Sequence, residues 1–490
     1  MTFLKRLAAP VAAVLLCLAP ITAAQTADYP DTQAGRQLEK FITAFNTGSE
    51  DVWNSWILQS PLAADSANVL QRRLGFFRRL YNDLGKVEVY SVDPGSEFNI
   101  SCLVQGTSPS GPYDWIRVGL RFDTLPPYDL AGMSARPADD PNEKLPEGEL
   151  TPEKLGAYLD GVLDEMVTKD RFSGAVLVAK DGVPVYKRAA GMACKSYDVP
   201  NKTDTKFNLG SMNKMFTGVA IAQLAQQGKL SFDDPIIKHL PDYPNKEVAE
   251  KVTIHHLLTH TSGLGDYWEE LFDARWWQIR SVQQLADLFW EKPLDFEPGD
   301  HFQYSNGGPI ILGLIIEKIT ALSYDEYIRQ NVTGPAGMVN TDCYEVDRPI
   351  PNLALGYTKM GIAGEGPGKE WRSNLFLHAA KGGPAGGGFS TVEDLLKFDI
   401  ALRGHKLLDE EYTDIVTTGK VDTGPGNKYA YLFGDENVNG HRVVGHNGGA
   451  PGINAVLAMY LDLGYTVAVL ANYDGAAEVV AGKIKRALTR

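Results

Sequence analysis

The chain reads as an α+β protein in two parts: a small helix-then-strand unit, then a larger unit whose antiparallel sheet draws strands from both of its ends around a mostly helical insert. Three observations predict this. Residues 30–137 carry two helical apolar stripes followed by strands of period two. Residues 175–179 and 183–188 flank Asp181-Gly182, a hairpin signal. Residues 454–462 and 465–471 flank Gly464 and precede a last helix, so strands from the two ends of the larger unit are available to one sheet.

Taken in order, residues 1–24 read as a secretory signal peptide. Lys5 and Arg6 form a basic start, residues 7–21 are apolar, and Thr22-Ala23-Ala24 offers small residues for cleavage before Gln25. The apolar run is short and holds Pro10 and Pro20, which disfavours a retained membrane anchor. Leu16 before Cys17 disfavours lipidation. The expected product is exported, periplasmic or secreted, with no stable membrane anchor after cleavage.

In residues 30–137 the first helix carries Leu38, Phe41, Ile42 and Phe45 and stops near Gly48. The second carries Leu70, Leu74, Phe77, Leu80 and Leu84 and stops at Gly85. Val87, Val89 and Ser91 alternate with Glu88 and Tyr90. Further on, Ile116, Val118, Leu120 and Phe122 share one face and leave Arg117 and Arg121 on the other. Trp53, Trp56 and Trp115 are assigned to core packing. Residues 138–150 have the polar, Pro- and Gly-containing composition of a linker. Residues 151–490 then open with Thr151 as an N-cap, Pro152 at the first helical position, and a stripe of Leu155, Leu159, Val162, Leu163 and Met166.

Composition narrows the function. The 490 residues are 44% hydrophobic and 22% charged, enough to bury a large core, and the formal charge of −14 disfavours nucleic acid or an anionic membrane as partner. Cys102, Cys194 and Cys343 remain after signal removal, an odd number at wide spacing. Each reads as a small buried apolar residue, although one pair could bridge.

The chemistry begins in residues 207–217, where Ser211 and Lys214 stand three apart on what reads as a buried helix opening at Ser211. That spacing brings hydroxyl and amine to one helix face, so the amine can take the proton of an attacking serine. A lone S-x-x-K is common. Here two further boxes follow: residues 302–308, with Tyr304 and Asn306 two apart, and residues 445–452, with His446-Asn447-Gly448-Gly449.

On these three ordered boxes, with the runs at residues 257–264 and 384–391, the chain resembles the class C β-lactamase and penicillin-binding-protein-like serine hydrolases over roughly residues 150–490. The resemblance implies a β-lactamase/transpeptidase-like fold and an acyl-enzyme mechanism with no metal or organic cofactor. It implies Ser211 as nucleophile, with Lys214 and Tyr304 as the acid/base pair. Asn306 and His446 are implied to orient substrate, and the Gly449 N–H to bind the oxyanion. The strands of residues 30–137 resemble, by pattern only, the cystatin-like cone of ketosteroid-isomerase-type domains.

His446 departs from the lysine that many members hold. A neutral imidazole grips a substrate carboxylate less well, which favours a carboxylic ester or small amide. A D-alanyl-D-alanine carboxypeptidase, a weak β-lactamase, or a non-catalytic protein that recognises penicillin or peptidoglycan are the alternatives. The expected partner is therefore a small-molecule ester or amide, with peptidoglycan-derived compounds in range. His256 and His260 lack a carboxylate at zinc-hydrolase spacing and read as structural. Residues 361–368 read as a glycine-rich loop. No G-x-S-x-G elbow is present. Trp268, Trp276 and Trp277 fit either cleft lining or packing.

Overall fold

The computed structural model describes residues 28–59, 67–107, 111, 113–124, 130–267, 276–359 and 370–490. The expected signal segment, Cys17, Trp268 and the glycine-rich loop at 361–368 lie outside them. The chain separates into two compact units, the first ending at Asp139 and the second running Asp140–Arg490.

The first unit has helices α1 (Gln33–Asn46), α2 (Glu50–Gln59) and α3 (Ala67–Leu84), then strands β1 (Val87–Ser96), β2 (Asn99–Gly106), β3 (Trp115–Phe122) and β4 (Leu130–Pro137) in one antiparallel meander of order β1-β2-β3-β4. The Thr32 side chain caps α1 by accepting the Gly35 N–H, and Leu38, Phe41, Ile42 and Phe45 form its buried stripe. Helix α2 was not anticipated. It starts with Glu50 and Asp51, which suit the positive end of a helix, and buries Trp53, Trp56 and Ile57 on one face. Trp53 stacks on Phe77 at 5.5 Å and its indole N–H donates to the Ala44 carbonyl at 3.1 Å, so it is core as expected. Trp56 and Trp115 are buried too.

In the second unit, α4 (Pro152–Thr168) starts as expected, with the Thr151 side chain accepting the Lys154 N–H. Strands β5 (Gly174–Lys180) and β6 (Val183–Ala190) follow. Asp181 and Gly182 both take positive φ, at 50° and 78°, the conformation a two-residue hairpin turn needs. Near the other end come β7 (Val421–Gly424), β8 (Asn427–Tyr429), β9 (Gly434–Val438), β10 (His441–Ala450), β11 (Ile453–Tyr460) and β12 (Tyr465–Ala471). All eight form one antiparallel sheet of order β7-β8-β9-β10-β11-β12-β5-β6, with β12 pairing β5.

Helices cover both faces of this sheet. Along β5, Ala175, Leu177 and Ala179 join the core of the helical insert, while Val176 and Val178 join a second core with α4 and the last helix, Ala476–Leu488. A strand buried on both faces reads as a continuous apolar run, as residues 174–179 do. Within the insert, α5 (Lys214–Gln226) is buried from Lys214 to Ala225, the mark of a central helix. Helix α6 (Gly307–Thr320) packs beside it and is buried along Gly307–Ile316. Among the described residues no single helix is long and apolar enough to cross a membrane.

The reading of a helix that opens at Ser211 changes. The α-helix starts at Lys214, and Ser211 sits in a preceding 3₁₀ turn, Gly210–Asn213. Strand β10 lies inside the sheet, but β9 begins opposite Gly445, so residues 446–450 pair only with β11 and are open on one side. In the segment read as a linker, Glu143 is held by Lys483, Arg486 and the Tyr158 hydroxyl. Cys102, Cys194 and Cys343 carry free thiols; the first and last are buried and Cys194 is half-buried.

Candidate active site

The 3₁₀ turn at Gly210–Asn213 packs against the open side of β10, and glycines permit the approach. Gly210 has φ +51°, and a Cβ there would meet the Gly449 nitrogen at 2.9 Å. A Cβ on Gly448 would meet the Leu209 carbonyl oxygen at 1.9 Å and the Ser211 nitrogen at 2.9 Å. Ser211 and Gly449 thus come to line one pocket.

Lys214 is fully buried one turn beyond Ser211. Its Nζ lies 2.6 Å from the Ala385 carbonyl oxygen, 2.7 Å from Asn306 Oδ1 and 3.1 Å from Ser211 Oγ. The orientation of the Asn306 amide is settled by its other end, where Nδ2 donates to Asp266 Oδ2 at 2.8 Å. Ala385 is placed from α5 itself, since the Thr217 hydroxyl donates to the Pro384 carbonyl at 2.8 Å. Burial drives the Lys214 amine down to about 7 against a smaller upward pull from Asp266. A neutral amine has two N–H donors and one lone pair. The two shorter contacts are to oxygens that only accept, so the lone pair is left for the Ser211 hydroxyl.

Tyr304 stands over this amine, with Nζ 4.9 Å from the ring centroid. Its segment is tied to the residues after Leu258: Gly299 N–H donates to the Thr261 carbonyl at 2.8 Å, Gln303 N–H to the His260 carbonyl at 2.9 Å, and the Ser305 hydroxyl to the Gly265 carbonyl at 2.9 Å. Burial of the phenol pushes its ionisation above the ordinary tyrosine range, and a hydrogen bond with Ser211 offsets this in part. The phenol therefore keeps its proton at neutral pH and is suited to donate it.

His446, on β10, faces Tyr304 with ring centroids 6.4 Å apart. Its Nε2 is 2.9 Å from the Tyr429 hydroxyl and its Nδ1 bonds the Asn447 carbonyl. Burial, then the Lys214 charge, lowers its ionisation to about 4, so the ring is neutral across the physiological range. Both of its nitrogens are already engaged. The rest of the pocket is largely apolar, with Tyr267, Leu285, Ile310 and Ile453 in its wall. Lys381 reaches the lining, paired with Asp325 at 3.0 Å.

All six residues singled out in the sequence, Ser211, Lys214, Tyr304, Asn306, His446 and Gly449, thus converge. Asp266, the Ala385 carbonyl and Tyr429 were missed; Asp266 and Ala385 lie in or just after the runs at 257–264 and 384–391, the one signal that could have pointed to them. His256 is structural: its Nδ1 accepts the Thr253 N–H and closes a capping box on the helix Ile254–Leu258. His260 turns into the site through a φ of +58°. Trp276 is buried and Trp277 is 52% exposed, so the first packs and the second does not.

The Beta-lactamase family matches residues 159–489. Penicillin-binding protein 4* of Bacillus subtilis (strain 168) is 31% identical over 332 residues, which are 65% of this chain and 72% of that protein. Esterase EstB of Burkholderia gladioli is also 31% identical, over 318 residues, 57% of this chain and 79% of the relative. Among solved structures, the penicillin binding protein from Bacillus halodurans superposes with a TM-score of 0.61 at 33% identity, covering 67% of this chain and 98% of that one.

Proposed function

The chain belongs to the beta-lactamase family of serine hydrolases, and from that premise we propose that it hydrolyses a neutral carboxylic ester or small amide through an acyl-enzyme on Ser211. The observation that carries the reading is the buried Lys214 amine, held by two acceptors with Ser211 Oγ as its third neighbour. Ser211 Oγ bonds to the acyl carbon as its proton passes to Lys214. The oxyanion is met by the backbone N–H groups of Ser211 and Gly449, each worth ~3 kcal/mol. When the tetrahedral intermediate collapses, the C–O or C–N bond breaks, Tyr304 gives its proton to the leaving group, and Lys214 returns a proton to Tyr304. Water then attacks the acyl-enzyme by the reverse route, releasing the acid and restoring Ser211.

The preference for a neutral acyl group rests on charge. His446 is neutral with both nitrogens engaged, and the lysine at the pocket lining is already paired. A substrate carboxylate finds no unpaired cation among the described residues that line the pocket. The basic start, short apolar run and small residues before Gln25 support export with cleavage there.

Short-chain nitrophenyl esters, nitrocefin and D-alanyl-D-alanine peptides assayed side by side, with Ser211→Ala as control, test the proposal. Ester turnover that exceeds the other two and vanishes in the variant is the expected result. Faster peptide or nitrocefin turnover would move the assignment to a D-alanyl peptidase or β-lactamase. N-terminal sequencing of the exported protein should start at Gln25.

A further inference from the structure

Behind the residues that move protons, four hydrogen bonds run in series. Ser305 N–H meets His260 Nδ1 at 3.3 Å, His260 Nε2 meets the Tyr429 hydroxyl at 3.1 Å, that hydroxyl meets His446 Nε2 at 2.9 Å, and His446 Nδ1 meets the Asn447 carbonyl. Backbone groups set the direction at both ends. A peptide N–H only donates, so His260 Nδ1 accepts. A carbonyl only accepts, so His446 Nδ1 carries a hydrogen. With both rings neutral, His260 Nε2–H donates to the Tyr429 oxygen, and the Tyr429 O–H donates to His446 Nε2. Every junction then has one donor and one acceptor. A proton added to His260 would set its Nδ1–H against the Ser305 N–H, and one added to His446 would set its Nε2–H against the Tyr429 O–H.

Both imidazoles of this series face the Tyr304 ring. The His260 ring lies 4.4 Å from the Tyr304 ring at 37°, and 4.8 Å from Tyr429. Tyr304 itself is 40% exposed, so packing from this side is what holds its ring. His260 is buried and held at positive φ, a backbone state retained only where surrounding contacts enforce it.

We infer that Tyr429 and His260 are positioning residues for this site: the directed series from Ser305 to Asn447 fixes both imidazoles as defined neutral tautomers and so holds Tyr304 and His446 in register with Ser211. The inference rests on the proposed roles of Ser211, Lys214 and Tyr304. The groups that face the two rings are consistent with it. Lys214 on α5 opposes a charge on either imidazole, and Tyr304, Phe302 and Tyr429 bring no carboxylate against them.

Tyr429→Phe removes one oxygen from the middle of the series. The expected result is a fall of about tenfold in kcat with KM nearly unchanged, because orientation rather than binding is lost. Complete labelling of Ser211 by a fluorophosphonate confirms a folded site in the variant. His260→Asn, which tolerates positive φ, should lose a similar factor; if that variant fails to fold, Tyr429→Phe decides alone. Imidazole nitrogen NMR gives a readout that a merely structural role would not move. In the unaltered protein His446 should carry its hydrogen on Nδ1 and His260 on Nε2, and neither should titrate between about pH 8 and pH 5. In Tyr429→Phe the His446 Nε2 signal should shift to that of an unbonded acceptor. Opposite tautomers, titration of either ring near its ordinary value, or a Tyr429→Phe enzyme with unchanged kcat would overturn the inference. If the unaltered protein resists fluorophosphonate labelling, the proposed function fails instead, and the tautomers still report on the series.

Discussion

Asn306 donates its Nδ2 to Asp266 at 2.8 Å and thereby turns Oδ1 toward Lys214 at 2.7 Å. One amide so links a carboxylate to the buried amine. The carboxylate pulls the Lys214 ionisation up while burial, the larger effect, pushes it down to about 7.

The pH–rate profile should report that balance. The amine accepts a proton only when neutral, so kcat/KM should rise with pH and level off above about 7. Asp266→Asn removes the upward pull, so the midpoint should move to lower pH, by on the order of one unit. A midpoint that stays in place or moves up would show that Lys214 is not the titrating group.

Tyr304→Phe removes the donor to the leaving group and leaves the ring packed on His260. Turnover of esters with poor leaving groups should fall by about 10²–10⁴, and nitrophenyl esters, whose leaving group needs less help, should lose less. Rates that fall equally across a series of leaving groups would place the phenol outside the protonation step.

His446→Lys puts a cation where the neutral imidazole stands. The ratio of kcat/KM for nitrocefin over nitrophenyl acetate should rise about tenfold, from ~1–2 kcal/mol of charge-assisted hydrogen bonding. The same cation should shift the Lys214 midpoint to lower pH, since like charges oppose protonation. An unchanged ratio would remove residue 446 from the determinants of substrate class.

Gly448→Ala and Gly449→Ala separate close packing from mere placement. A Cβ at 448 would collide with the Leu209 carbonyl at 1.9 Å and crowd the Ser211 nitrogen, whereas one at 449 meets nothing nearer than 3.8 Å. Gly448→Ala should displace the turn and cost about 10²–10³ in kcat, the usual loss of an oxyanion donor. Gly449→Ala should cost less. Equal losses in steady-state kinetics would contradict the placement.

Asp399 tests the scaffold away from the site. Its side chain is fully buried and bonds Arg403 Nε and Nη2, both at 2.5 Å, and the Thr466 hydroxyl on β12. Asp399→Ala strands the guanidinium and the hydroxyl, and thermal or urea denaturation should show a loss of about 3 kcal/mol. Specific activity of the folded fraction should not change.

Local spacing alone accounts for several parts of this protein. Thr151 and Pro152 announce α4, Asp181-Gly182 announces its hairpin, and the three-residue step from Ser211 to Lys214 places hydroxyl and amine on one face, as found at 3.1 Å. Helix α2 escaped because its ten residues supply too few apolar repeats to stand out beside their neighbours. The environment of the amine depends instead on contacts between segments far apart in the chain. Lys214 meets Asn306 across 92 residues of chain and the Ala385 carbonyl across 171. Tyr429 reaches His260 across 169, and β9 begins opposite Gly445, leaving a gap for the turn of Ser211. Periodicity and turn chemistry carry information over a few residues. Desolvation and the direction of a hydrogen-bonded series arise only when distant segments close around one another and exclude water.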